Sequence, residues 1–294
     1  MSSFDDLFES SQSNDKPFDK DQWKEYKQTE RKSVYALADE TAQDVAENGE
    51  SFRAFLDIQA RFDRYSVTNA LLILAQRPEA TQLRTFEGWK EQGVSIKRHE
   101  THINLLEPGE EYQRDDGSMA TSWKVRHVFD ITQTNSRILP RPAPRPEDRT
   151  LLKALIHKAP VPIQAVDELP NRMGAYYDHD QKVIFVRRGM EADDIFRSLS
   201  NELAHVELAA QNPDYARREA GFSAYCVSYL LCMRNGVDVA GYDFSRIPDS
   251  IASADPQGIR AALTEIADTA RNISGRMNRA LEQNKQPKTK GQVR

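Results

Sequence analysis

The stretch FRSLSNELAHVELAAQ, residues 196–211, decides how the chain reads. It holds no Gly or Pro and is rich in helix formers, so it predicts a helix that must stop before Pro213. Asp193 or Asp194 is expected to cap its start. Upstream, GAYYDHDQKVIFVRRG (174–189) reads as strand, turn, strand, with the turn at Asp178-His179-Asp180. Downstream, YARREAGFSAYCVSYLLCMRNG (215–236) reads as a helix. Phe222, Tyr225, Cys226, Tyr229 and Met233 form its expected apolar stripe, and Gly236 ends it.

Inside the deciding stretch lies Asn201-Glu202-Leu203-Ala204-His205. Positions i and i+4 of a helix face the same way. The zinc-peptidase pattern H-E-x-x-H uses this spacing: two imidazoles hold Zn²⁺, and the Glu is the general base. The metal lowers the pKa of its bound water to ~7, and the Glu takes the proton. Glu202 and His205 match, but Asn201 stands where the first His belongs. A neutral amide oxygen suits zinc less than imidazole does. Glu219, on the next helix, is the nearest downstream carboxylate for a third ligand. Glu207 points to another face, and His179 and His157 are remote alternatives.

Two readings stay open. One is an active zinc peptidase with an unusual ligand set of Asn201, His205 and Glu219, with Glu202 catalytic. The other is a degenerate, non-catalytic scaffold, and the chemistry leans towards it. Zinc is the one cofactor the pattern suggests, and a single matched imidazole argues against a tight site.

Around this centre, 294 residues suggest two domains. The boundary is expected at LPRPAPRPE (139–147), whose four prolines make a stiff linker over 138–150. Residues 1–21 read as a disordered leader, 22–137 as one domain, 151–284 as the second, and 285–294 as a basic tail.

In the first half, 23–47 reads as a helix, and Phe52, Phe55, Leu56 and Phe62 recur at helical spacing in the next. Ser66 can cap VTNALLILAQ (67–76), which must end before Pro78. TFEGWKEQGVSIKRH (85–99) predicts a short helix and a Gly turn. THINLLEP (101–108) and WKVRHVFDI (123–131) predict paired strands. PGEEYQRDDGS (108–118) reads as the turn-rich connection between them, with Asp116-Gly117 as its tightest signal. LLKALIHKA (151–159), IQAVDEL (163–169) and residues 256–283 read as helix, strand and long helix. The expected fold class is α+β: helices with a small antiparallel sheet, then a zincin-like hairpin with helices.

Composition narrows the function classes. The longest apolar run, Ala70 to Ala75, is far short of the ~20 residues that span a bilayer. The acidic, polar N-terminus does not read as a signal peptide, so the expectation is a cytoplasmic protein. Cys226 and Cys232 sit six apart on one expected helix, pointing to different faces, so they cannot bridge. Residues 1–135 carry a net −8 and 136–294 a net +3. Neither half has the basic surplus of a bulk nucleic-acid binder. The acidic first half also leaves open a third class, a module that masks a host protein.

Further features of the first half are Tyr65-Ser66, Asn69 before an apolar helix, Gln76-x-Pro78, Trp89 and a glycine, Ile96-Lys97, and Phe129–Thr134 (FDITQT). With them, the segment around 62–108 resembles the N-terminal domain of ArdC-like antirestriction proteins. The 174–189 hairpin, N-E-L-A-H and FSAYCVSYLLCMRNGVD resemble the zincin-like domain fused to it in LtrC-like proteins of conjugative elements. The resemblance covers about residues 22–275. It implies a single-stranded-DNA-binding domain joined to a metallopeptidase relative. It also implies an accessory role on a mobile element, shielding incoming DNA from restriction, with host restriction or conjugation proteins as possible partners. Asn201 is where this chain departs from the family's H-E-x-x-H.

Single-strand binding needs cations along phosphates and aromatics for bases to stack on. Arg61–Arg126 holds ten basic and ten acidic residues, so charge must segregate onto one face. Arg64, Tyr65, Arg84, Trp89, Lys90, Lys97 and Arg98 are candidates; Lys124 and Arg126 share one face of a strand. The alternative is that Tyr65 and Trp89 are core aromatics and the basic residues ordinary solvated ones. Asn69 is expected to hold a loop through its side chain.

Overall fold

The computed structural model describes residues 20–114, 116–136 and 144–285. Most of the expected leader, the first prolines of the linker and the tail from 286 lie outside the described residues. The chain is α+β. The first half holds α1 (Lys20–Glu47), α2 (Gly49–Arg61), α3 (Val67–Gln76), β1 (Leu83–Arg84), α4 (Phe86–Glu91), β2 (Ile103–Gln113) and β3 (Met119–Asp130). The second holds α5 (Asp148–Ile156), β4 (Ile163–Val166), β5 (Ala175–Asp178), β6 (Val183–Arg187), α6 (Ala192–Gln211), α7 (Arg217–Asn235), α8 (Asp249–Ala252) and α9 (Pro256–Lys285).

Local chemistry accounts for many of the boundaries. Ser66 caps α3 by accepting the Asn69 amide, and the helix ends before Pro78. Gly236 closes α7 in the left-handed region at φ 68°, where glycine carries no Cβ penalty. Three expectations need correction. Neither Asp193 nor Asp194 caps α6; Glu191 stands at that position without a side-chain bond, while the two aspartates pair with Arg145 and Arg197. The connection expected at 108–118 is mostly strand, because β2 runs on to Gln113 with a bulge between Pro108 and Glu111. Met233 is exposed, so α7 buries Tyr229, Leu230 and Leu231 without it.

Each half contributes a three-stranded sheet. The first is antiparallel, in the order β1-β3-β2. The second has the order β4-β6-β5; β5 and β6 are the expected hairpin, and β4 adds to β6 in parallel. Asp130 ties the end of the first sheet together. Its buried carboxylate accepts the amides of Thr81 (2.7 Å), Gln82 (2.9 Å) and Thr132 (2.9 Å). Burial raises its pKa, but these bonds outweigh burial and leave it below the ordinary value. Gln133 completes a capping box and reaches the Thr101 carbonyl at 2.7 Å. FDITQT is therefore a local lock on the sheet.

One buried cluster runs through both halves. On α1, Val34, Ala38, Ala42 and Val45 face inward at helical spacing; Ile259, Leu263, Ile266, Ala270 and Ile273 do so on α9. The small residues let helices approach closely, and α9 packs against α1, α3, α5, α6 and α7. The α2 and α7 helices meet through Phe52 against Phe222 and through Tyr229, whose hydroxyl donates to Asp57 at 2.5 Å. No helix among the described residues is long and apolar enough to cross a membrane.

Candidate functional site

The N-E-L-A-H residues lie at mid-helix on α6, which packs against β5 and α7. Glu202 is 3% exposed and carries four hydrogen bonds. The Tyr177 amide on β5 donates to one oxygen at 2.7 Å. Arg217, the first residue of α7, grips both oxygens at 2.8 Å each. The Asn201 amide donates to the oxygen shared with Arg217 Nη2, at 3.1 Å. A carboxylate only accepts, so the NH₂ side of Asn201 must face it.

The Arg217 guanidinium lies 4.8 Å from the centre of the Tyr176 ring, a cation–π arrangement. Burial opposes charge on Arg217, but the bonds to Glu202 win and raise its pKa. His205 is buried, with Nδ1 at 2.9 Å from the Tyr215 hydroxyl. Burial, then the Arg217 charge, push its pKa down to about 4 against the pull of Glu202. The ring is therefore neutral at pH 7.

The other ligand candidates lie elsewhere. Glu219 is exposed in the first turn of α7. Glu207 pairs with Arg276 of α9. His179, in the β5–β6 turn, stacks on Tyr215, the hydrogen-bond partner of His205. His157 ends α5. Among the described residues, no group of three or more His, Cys, Asp or Glu side chains is arranged to hold a metal. Asn201, Glu202 and Arg217 line a cavity of about 460 Å³, together with Tyr225, Ser228 and Tyr242. This centre is a saturated hydrogen-bond network beside an open cavity. The sequence pattern pointed to Glu202 and His205; Arg217, 15 residues on, carried no signal of its own.

The nominated DNA residues fall into different settings: a small cavity, the core, and exposed positions. Tyr65, Arg84 and Arg126 line one small cavity of about 150 Å³, with Asn69 and Glu107. Arg126 pairs with Glu107 at 2.9 Å. Arg84 lies over the Trp89 ring at 5.7 Å. Trp89 is 2% exposed and donates its indole N–H to the Phe129 carbonyl at 2.8 Å, so its place is in the core. Tyr65 packs edge-on against Phe62. Arg64, Lys90, Arg98 and Lys124 are exposed, as is Lys97, whose amine donates to the Thr132 carbonyl.

A different arrangement of cations and aromatics lies between α1 and β3. Strand alternation turns Trp123, Val125 and His127 towards α1, where His127 meets Glu30 at 3.0 Å. Trp23, Lys27 and Arg31 recur every four residues along α1, on one face. With Lys24, Glu30, Trp123 and the nominated Lys124 they line a groove of about 530 Å³. Trp23 is 50% and Trp123 39% exposed. Lys27 pairs with Glu30 at 2.8 Å, and Arg31 donates to the Trp123 carbonyl. The usable signal was the four-residue spacing on α1. Its partner is one hundred residues away, which no local reading reaches.

The fold has solved counterparts. The Mn(II)-bound crystal structure of the antirestriction protein ArdC from plasmid R388 is similar over 76% of this chain and 97% of that one, with TM-score 0.50 and 18% identity. The metal-free structure of the same protein gives TM-score 0.47 and 18% identity over 73% and 86%. The chain shares the ArdC fold. No protein-family model and no curated protein matches the sequence.

Proposed function

We propose that this chain is a single-stranded-DNA-binding accessory protein of a mobile or conjugative element, acting in antirestriction, with a non-catalytic zincin-like second half. The observation that carries DNA binding is the α1–β3 groove. Two accessible indoles, Trp23 and Trp123, offer stacking platforms, and Lys24, Lys27 and Arg31 offer cations for phosphates. Stacking on an aromatic contributes about 1–3 kcal/mol per base and accepts any base. The reading is therefore binding without sequence preference. The exposed cations Arg64, Arg84, Lys90, Lys97, Arg98 and Arg126 are further candidates for contact with a longer strand, and Lys124 lines the groove itself. Tyr65, half-buried beside Arg84 and Arg126, lines a cavity of about 150 Å³. The antirestriction role is supported by the shared fold with the ArdC antirestriction protein. The partners it implies are single-stranded DNA and host restriction or conjugation proteins.

The test is fluorescence anisotropy of a labelled single-stranded oligonucleotide at two salt concentrations, with the wild type and a Trp23→Ala/Trp123→Ala variant. The expected result is salt-sensitive binding, weakened at least tenfold in the variant, since about 1.4 kcal/mol is a factor of ten and two platforms are lost. No binding by the wild type at low salt sinks the DNA reading. Wild-type affinity in the variant moves the site elsewhere.

A further inference from the structure

The fold family implies a divalent metal at the N-E-L-A-H centre, and the residues present do not fit one. A metal site offers converging lone pairs. Here the groups that converge on the Glu202 oxygens are N–H donors from Asn201, Arg217 and the Tyr177 backbone. His205 has Nδ1 engaged by Tyr215, and its neighbour Arg217 brings a positive charge. Glu219 lies exposed and does not line the cavity that Asn201 and Glu202 share.

We infer that Arg217 is a built-in cation: its guanidinium supplies, beside Glu202, the positive charge that a bound metal ion would bring to this centre, and the chain folds without metal. Two features hold the guanidinium there, and a third makes it depend on Glu202. Glu202 binds both ends of its fork, the geometry that suits Arg and not a point charge. Tyr176 supports its face. Its position in the first turn of α7 is the positive end of the helix dipole, where a cation is unfavourable unless a carboxylate offsets it. Glu202 is that carboxylate, and without a cation it is a buried, uncompensated charge. The pair is mutually dependent, and a divalent ion beside it meets a fixed positive charge. This inference is independent of DNA binding.

The test compares the full-length wild type, Asn201→His, and Asn201→His/Arg217→Ala. Metal content is measured by mass spectrometry after dialysis. The melting temperature is measured with Zn(II), with Mn(II) and with EDTA. The wild type is expected to hold far less than one metal per chain and to melt at the same temperature in all three conditions. Asn201→His is expected to behave the same way, because the guanidinium is still in place. The double variant is expected to take up metal and to melt higher with it than with EDTA. If loss of the guanidinium unfolds the chain, refolding yield with metal against EDTA reads the same point, and rescue by metal is expected. A wild type with one metal per chain overturns the inference. So does Asn201→His binding metal by itself, or a double variant that neither metal stabilises nor rescues.

Discussion

The side-chain amide of Asn69 pairs with the backbone of Leu106 as a neighbouring strand would. Nδ2 donates to the Leu106 carbonyl and Oδ1 accepts the Leu106 amide, both at 2.8 Å. Two turns further along the same helix face, Gln76 does the same to Asn104, at 3.0 and 2.9 Å. The β2 strand is the edge of its sheet, and α3 covers that edge with side-chain amides. Asn69→Ala leaves a buried N–H and C=O unpaired, which costs roughly 2–4 kcal/mol. Urea denaturation of the variant checks this, and a loss under about 0.5 kcal/mol contradicts it.

Tyr229→Phe removes the hydroxyl that joins α7 to Asp57 of α2. A hydrogen bond to a charged group contributes about 1.5–3 kcal/mol, so the variant is expected to lose about 2. Because the two side chains share one interaction, Tyr229→Phe with Asp57→Ala should destabilise by less than the sum of the single changes. Additive losses in thermal or chemical denaturation would show that the bond does not join the two helices.

Acid should weaken the fold in two stages. His205 has a folded pKa of about 4, below its ordinary 6.5, so the unfolded chain binds the proton first. Its contribution is intact above pH 6.5 and is lost as pH falls towards 4, by roughly 3 kcal/mol in all. Asp130 has a depressed folded pKa, so its contribution is intact above its ordinary 3.8 and lost below. Stability measured from pH 7.5 to 4.5 should fall for the wild type. A His205→Gln variant should show a flatter profile over that range, and an unchanged slope counts against the assignment.

Binding to single strands should report the groove through its salt dependence. Each phosphate contact contributes about 0.7 to the slope of log K against log salt for single strands. Lys24→Ala, Lys27→Ala and Arg31→Ala should each lower the slope by up to that amount, with no change in base preference. A Lys90→Ala control, a cation outside the groove, should lower it less. Equal effects at Lys90 and Lys27 would argue for a diffuse surface instead.

Much of the fold was legible because its signals are local. Ser66 meets an amide three residues away, Pro78 stops a helix by its own ring, and Gly236 turns the chain at φ 68°. The extension of β2 to Gln113 was not legible. Glu110, Glu111 and Tyr112 face solvent, so no buried alternation marks the strand, and only pairing with Thr121 and its neighbours holds it. The parallel seat of β4 on β6 likewise depends on a partner some twenty residues away.

What the sequence by itself determined is the placement of the helices and the hairpins, the α+β class, and the helix that carries Glu202 and His205. Backbone propensity, capping and periodicity act within a few residues, and those distances are visible in a string of letters. The tertiary structure alone decided what surrounds those two side chains and which aromatics reach solvent. Arg217 closes on Glu202 because α7 starts against α6, and Trp23 comes opposite Trp123 because α1 crosses β3. Both depend on where a shared core packs one helix against another element, and packing is settled by the summed burial of many residues that no local pattern records.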